Sequence, residues 1–202
     1  MKLDNAAKIY PAITSKELTG VFRITAIMKS PVVLPHLVRA TEETAKMFPG
    51  FSVELCKGFF WYYLEYNGRP PRIFADRGSH CQPFPLNVKG ELMYRILTRG
   101  NTISVEFLHI LTDGGGALVF LKTLLNLYAR YCGYGSPPFP EVAEGPPPGG
   151  TEAQFTKFYA KGLPRPPVLA RAWHLPYELQ DTPRFRITSF SLPAAEISKV
   201  SK

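Results

Sequence analysis

One histidine and one aspartate stand four residues apart in the run Phe107-Leu108-His109-Ile110-Leu111-Thr112-Asp113-Gly114-Gly115-Gly116. An imidazole can take up and return a proton near neutral pH, the requirement for a general base. Asp113 is a suitable N-cap, whose carboxylate accepts hydrogen bonds from the first free N–H groups of a helix. Three glycines after it permit a sharp strand-to-helix turn and leave the backbone open to a ligand or a neighbouring segment. Other chemistries compete for the same residues. A lone histidine on an apolar face is often a satisfied core residue. A His-to-Asp spacing of four would place two metal ligands on one helix face, but the glycines start the helix only at the aspartate, so we assign no metal site. The stretch lacks both Gly-x-Gly-x-x-Gly and Gly-Lys-Ser/Thr, so it is not a phosphate loop.

The flanking sequence must position this junction. Residues 102–109 alternate as a strand, with Ile103, Val105, Phe107 and His109 on one face and Thr102, Ser104, Glu106 and Leu108 on the other. The imidazole thus inherits the apolar face, where it would be held rigidly and partly desolvated. Ala117, Leu118, Leu121, Leu124, Leu125, Tyr128 and Tyr131 make one helical stripe, and Gly133 stops it. Upstream, residues 91–98 form a hairpin with 102–109 across Arg99-Gly100-Asn101.

Earlier in the chain, residues 20–29 read as an interior strand, apolar on both faces. Ser30-Pro31 signals a helix start, followed by the stripe Leu34, Leu37, Val38, Thr41, Ala45 and Phe48, with His36 on the solvated side. Residues 51–56 and 59–66 read as strands, and the run Phe59-Phe60-Trp61-Tyr62-Tyr63 as a buried one. Residues 72–90 are loop-like, with Ile73-Phe74 a short edge pairing; His80 and Cys81 lack further ligands for zinc. A Pro/Gly-rich loop spans 133–170, a helical turn falls in 151–161, and a last strand in 184–192; His174 reads as structural.

The chain has 202 residues, 45% hydrophobic, enough for a real core, with no apolar run long enough to span a membrane. Three scattered cysteines and no secretory signal fit a reducing cytoplasm. The net charge of +8 is spread out, with a local group Arg69, Arg72, Arg77, and no basic helical stripe of the kind nucleic acid requires. It suits attraction of an acidic thiol carrier such as coenzyme A.

His109-x-x-x-Asp113-Gly114 on a strand-to-helix junction resembles the HHxxxDG motif of the chloramphenicol acetyltransferase-like superfamily. The opening Leu3-Asp4-Asn5-Ala6-Ala7-Lys8-Ile9-Tyr10-Pro11 is similar to the N-terminus of its bacterial alcohol acetyltransferase-like members. Leu108 stands where the first histidine of the motif usually sits. The resemblance implies an α/β (α+β) fold, a mixed sheet flanked by helices, forming one half of a two-domain architecture. Residues 1–190 would be the N-terminal domain, and 191–202, beginning Ser191-Leu192-Pro193, the start of a helix leading into an absent second domain. It implies a CoA-dependent acyltransferase, transferring an acetyl group to an alcohol, with His109 as base. No bound cofactor is implied; acyl-CoA is the co-substrate and a small alcohol or amine the acceptor. Asp113 and Gly114 are structural, Asp113 by a salt bridge to an arginine such as Arg23, Arg184 or Arg186. Gly115 and Gly116 could line the substrate channel. The isolated half would be inactive, and its uncovered apolar face could produce a dimer. Alternatives within the resemblance are a non-catalytic binding module and a condensation-type enzyme using a carrier-protein thioester.

Overall fold

The computed structural model describes residues 9–15, 18–86 and 88–142. The predicted turn at 151–161, the strand at 184–192 and the helix start at 191, with His174, Arg184 and Arg186, lie outside these residues. The element order is α1 (Tyr10–Ile13), β1 (Val21–Ile27), α2 (Leu34–Met47), a 3-10 turn (Pro49–Phe51), β2 (Val53–Lys57), β3 (Tyr62–Tyr66), β4 (Ile73–Ala75), β5 (Tyr94–Arg99), β6 (Thr102–Leu108) and α3 (Gly114–Tyr131). Four strands form a mixed sheet ordered β1-β6-β5-β4. β1 and β5 run antiparallel to β6 on either side, and β4 adds parallel to β5. β2 and β3 make a separate hairpin.

β6 is buried on both faces, and the two faces differ in chemistry. Ile103, Val105 and Phe107, with Tyr94 and Ile96 of β5, pack against α2 and α3. The centre of that layer is aromatic: Phe51, Tyr94 and Phe107 all meet Phe120 of α3 or one another at 5.2–6.3 Å between ring centroids. Each such ring contributes about 2–3 kcal/mol by leaving water. On the opposite face Leu108 joins Met93, Ile110, Phe84 and the hairpin residues Val53, Leu55 and Leu64 in a second apolar cluster. Between that cluster and the far end of the sheet lies a polar layer, described below.

The helices meet through Glu43 of α2, which pairs with Arg130 and Tyr131 of α3. Tyr128 of α3 accepts a hydrogen bond from the Val33 N–H at 2.9 Å, fixing the entry to α2.

Several expectations are corrected. α2 begins at Leu34 with Val33 as N-cap, so Pro35, not Pro31, occupies the first turn. Its buried face is Leu37, Ala40, Thr41 and Thr44, while Leu34 and Val38 are exposed. The stripe therefore sits one step round the helix, towards Ala40 and Thr44. His36 is half-buried, its Nδ1 shielded from water without a partner among the described residues. On α3, Leu118 is exposed and Phe120 takes the buried place. β1 lies at the sheet edge among the described strands, and Ile27 is exposed. The aromatic run is not a buried strand. Gly58 N–H donates to the Trp61 carbonyl at 2.8 Å, closing a tight turn that puts Phe59, Phe60 and Trp61 in solvent. A Cβ on Gly58 would lie 2.9 Å from that carbonyl, so glycine makes the turn possible.

Candidate active site

β6 ends at Leu108, and His109 is the first residue beyond it. Its backbone still continues the ladder: the His109 N–H donates to the Gly20 carbonyl at 2.8 Å, and the Leu108 N–H to the Met93 carbonyl at 2.9 Å. Two neighbours thus hold the strand end. The His109 ring is half-buried, stacked on Tyr10 at 5.0 Å with 10° between planes. Phe22 of β1 lies at 4.9 Å on a tilted plane. Tyr10 comes from α1. These two rings fix the imidazole plane.

Leu108 is fully buried in the hairpin-side cluster. That site is apolar, and a second histidine there would be desolvated in the cluster of Val53, Leu55, Leu64 and Met93.

After His109 the chain turns, with Leu111 N–H donating to the Leu108 carbonyl at 2.9 Å. Asp113 is then the N-cap of α3. Its Oδ1 accepts from the Gly116 N–H at 2.9 Å. Asp113 is exposed and forms no salt bridge with a described arginine. Arg23, one of the three arginines considered for it, is committed elsewhere: it contacts Asp76, Glu106 and Ser104. The glycines are not equivalent. A Cβ on Gly116 would come 2.2 Å from Thr112 Oγ1, whereas one on Gly114 meets nothing within 4 Å. At Gly116 the Thr112 side chain would have to move, a Cβ on Gly115 would touch Asp113 Oδ1 at 3.4 Å, and Gly114 borders open space.

The polar layer behind β6 escaped the sequence reading. Glu106 is fully buried and sits between Arg23 of β1 and Arg95 of β5 in cross-strand register. Arg95 Nε donates to its Oε2 at 2.7 Å, and Arg23 Nη1 to its Oε1 at 3.3 Å. The Cys81 N–H donates to Oε1 at 2.8 Å, presented by a residue with φ of 52°. Asp76, just past β4, completes the layer by pairing with Arg23. Burial pushes the Asp76 carboxyl up, but its bonds to Arg23 and Gly78 outweigh this and hold it below its ordinary value. Two cations and two anions therefore lock β6 between its neighbours just before the histidine. The available signal was Glu106 itself, directly opposite Arg95 once the hairpin register across Gly100 is set, a carboxylate that demands a partner when buried.

Glu54, Cys56 and Glu65 of the hairpin bring potential ligand atoms within 4.8 Å of one another. Burial pushes the Cys56 thiol up, and the Glu65 carboxylate bonded to it reinforces the shift.

No protein-family model matches this chain, and no curated protein matches it by sequence. Solved structures do match. SgcC5 from Streptomyces globisporus superposes with a TM-score of 0.55 at 14% identity, over 71% of this chain and 39% of that one. The X-domain from teicoplanin biosynthesis gives 0.54 at 15% identity, over 68% and 34%. A doubly substituted starter condensation domain of rhizomide synthetase RzmA, in complex with C8-CoA and Leu-SNAC, gives 0.53 at 9% identity, over 67% and 36%. The fold is that of part of a condensation domain. The chain spans little more than a third of the length of these structures. No described helix is long and apolar enough to cross a membrane.

Proposed function

We propose that this chain carries the general base of a thioester-dependent acyl transfer, and that His109 is that base. The carrying observation is the placement of His109: a half-exposed imidazole, clamped by two aromatic rings, at the strand end immediately before a capped helix. A base that must meet a substrate proton has to be rigid and reachable, and this one is both.

His109 takes the proton from an acceptor hydroxyl or amine. The freed lone pair attacks the thioester carbonyl carbon, and the carbonyl electrons move onto oxygen. When the oxyanion collapses, the C–S bond breaks and the imidazolium returns its proton to the departing thiolate. The acyl group is then an ester or amide, and the product thiol is neutral. Asp113 serves by starting α3 at a fixed place, and the exposed backbone at Gly114 and Gly115 leaves room for a reactant beside it.

The first reading is acetyl transfer from acetyl-CoA to a small alcohol. The second is amide formation, favoured by the C8-CoA and Leu-SNAC complex of the structurally similar RzmA domain. A non-catalytic module of the same fold is the remaining alternative. Thiol release from acetyl-CoA and octanoyl-CoA, measured against alcohols and aminoacyl thioesters with the protein as it occurs, decides among them. Turnover with an alcohol supports the first reading, and turnover only with an amine the second. No turnover with any pair, by folded protein, contradicts both.

A further inference from the structure

A cleft of 410 Å³ lies between the segment around β4 and the loop leading into β5. Neither His109 nor Asp113 lines it. Its wall carries four arginines, Arg69, Arg72, Arg77 and Arg95, against a single carboxylate, Glu91. Arg95 is already committed to buried Glu106. Arg72 faces Glu91 across a long 4.0 Å contact. Arg69 and Arg77 form no ion pair with any described carboxylate. The cleft therefore holds a net positive charge in a concave site of ordinary ligand size.

The wall is built rather than incidental. The Arg69 guanidinium rests against Gly90, where a Cβ would lie 2.2 Å from its Nη1 and where φ is +88°. Gly90 is held in turn by its N–H bond to buried Glu54 at 2.6 Å. Pro70 and Pro71 separate Arg69 from Arg72 and stiffen the segment that presents them, so little freedom is lost on binding. Half-exposed Phe74 adds an apolar ring to the same wall.

We propose that this cleft binds a small phosphorylated molecule with a flat apolar body, its phosphate taken by Arg69 and Arg77 and its body laid against Phe74. Guanidinium forks match phosphate oxygens in geometry as well as charge. The site stands on these residues alone and does not depend on the acyl-transfer reading. A nucleotide phosphate can come from a free nucleotide or from the nucleotide end of coenzyme A.

Calorimetric titration tests this with adenosine monophosphate, adenosine, inorganic phosphate and coenzyme A as probes. Three proteins are compared: the unsubstituted protein, Arg69→Gln/Arg77→Gln, and Lys29→Gln/Lys57→Gln, which removes equal charge elsewhere. Both pairs are exposed, so each variant should fold; circular dichroism checks this. Adenosine monophosphate should bind the unsubstituted protein more tightly than adenosine or phosphate. The arginine variant should lose at least about tenfold in affinity, and the lysine variant less than about twofold. Competition by coenzyme A assigns the phosphate to the thioester donor, and its absence to a free nucleotide; either supports the site. No binding of a phosphorylated probe, or equal loss in both variants, overturns it.

Discussion

Replacing Glu106 by glutamine should be among the most destabilising single changes in this chain, although it removes no atom from the core. Glu106 is fully buried and accepts three hydrogen bonds, from Arg23, Arg95 and the Cys81 N–H. With Asp76 the layer is neutral, two guanidiniums against two carboxylates. Glutamine keeps the shape but leaves one positive charge unbalanced, and its amide NH2 must face an N–H donor. Breaking a buried pair in this way costs about 3–5 kcal/mol. With an m-value of about 2 kcal/mol per molar urea, the unfolding midpoint should fall by roughly 2 M. Adding Arg95→Met to Glu106→Gln removes the uncompensated cation and leaves Arg23 paired with Asp76. The double variant should therefore cost less than the sum of the two singles, by at least about 1 kcal/mol. Urea unfolding of the four proteins at neutral pH gives these values. A loss under about 1 kcal/mol for Glu106→Gln, or strict additivity in the double variant, would refute the claim that this layer locks β6 in place.

Three smaller predictions follow from local geometry. Tyr94 is buried and its hydroxyl has no partner among the described residues, so Tyr94→Phe should be neutral or stabilise by up to about 1 kcal/mol in the same unfolding assay. Gly114→Ala meets open space in a helix and should stabilise by up to about 1 kcal/mol, whereas Gly116→Ala must displace Thr112 and should gain less or lose; if Gly114 borders the reactant, its alanine variant will be more stable yet slower in thiol release. Asp76 has a lowered pKa in the fold, so the stability it adds is present above the unfolded carboxylate value near pH 4 and is lost as pH falls through the lower folded value; Asp76→Asn should flatten that part of a stability-versus-pH curve.

The parts visible in the sequence were those whose signals are local. β6 and α3 announce themselves by periods of two and about three and a half, and Gly100 marks the hairpin between β5 and β6 with its φ of +57°. Asp113 was recognisable as a cap because the partner N–H is only three residues away. What lay hidden depends on contacts distant in sequence. Arg23, Cys81 and Arg95 converge on Glu106 from three segments, and Asp76 joins them through Arg23. Tyr10 reaches His109 across nearly a hundred residues, so the ring that orients the imidazole had no local signature. The exposed aromatic tip was misread for a different reason: composition favoured a buried strand, while the hydrogen bond from Gly58 to Trp61 bends the chain within four residues. Proline misled at α2, where Pro31 and Pro35 both permit a first turn and the backbone uses the second.

The most direct measurement is the rate of thiol release from an acyl-CoA by the protein as it occurs, with and without His109→Ala, after both are shown to have the same fold and melting temperature. Loss of a general base should lower the rate by about 100-fold to 10,000-fold, with donor binding little changed. An alanine variant that turns over at an undiminished rate would contradict the assignment, and His109 would then be a packing residue between Tyr10 and Phe22.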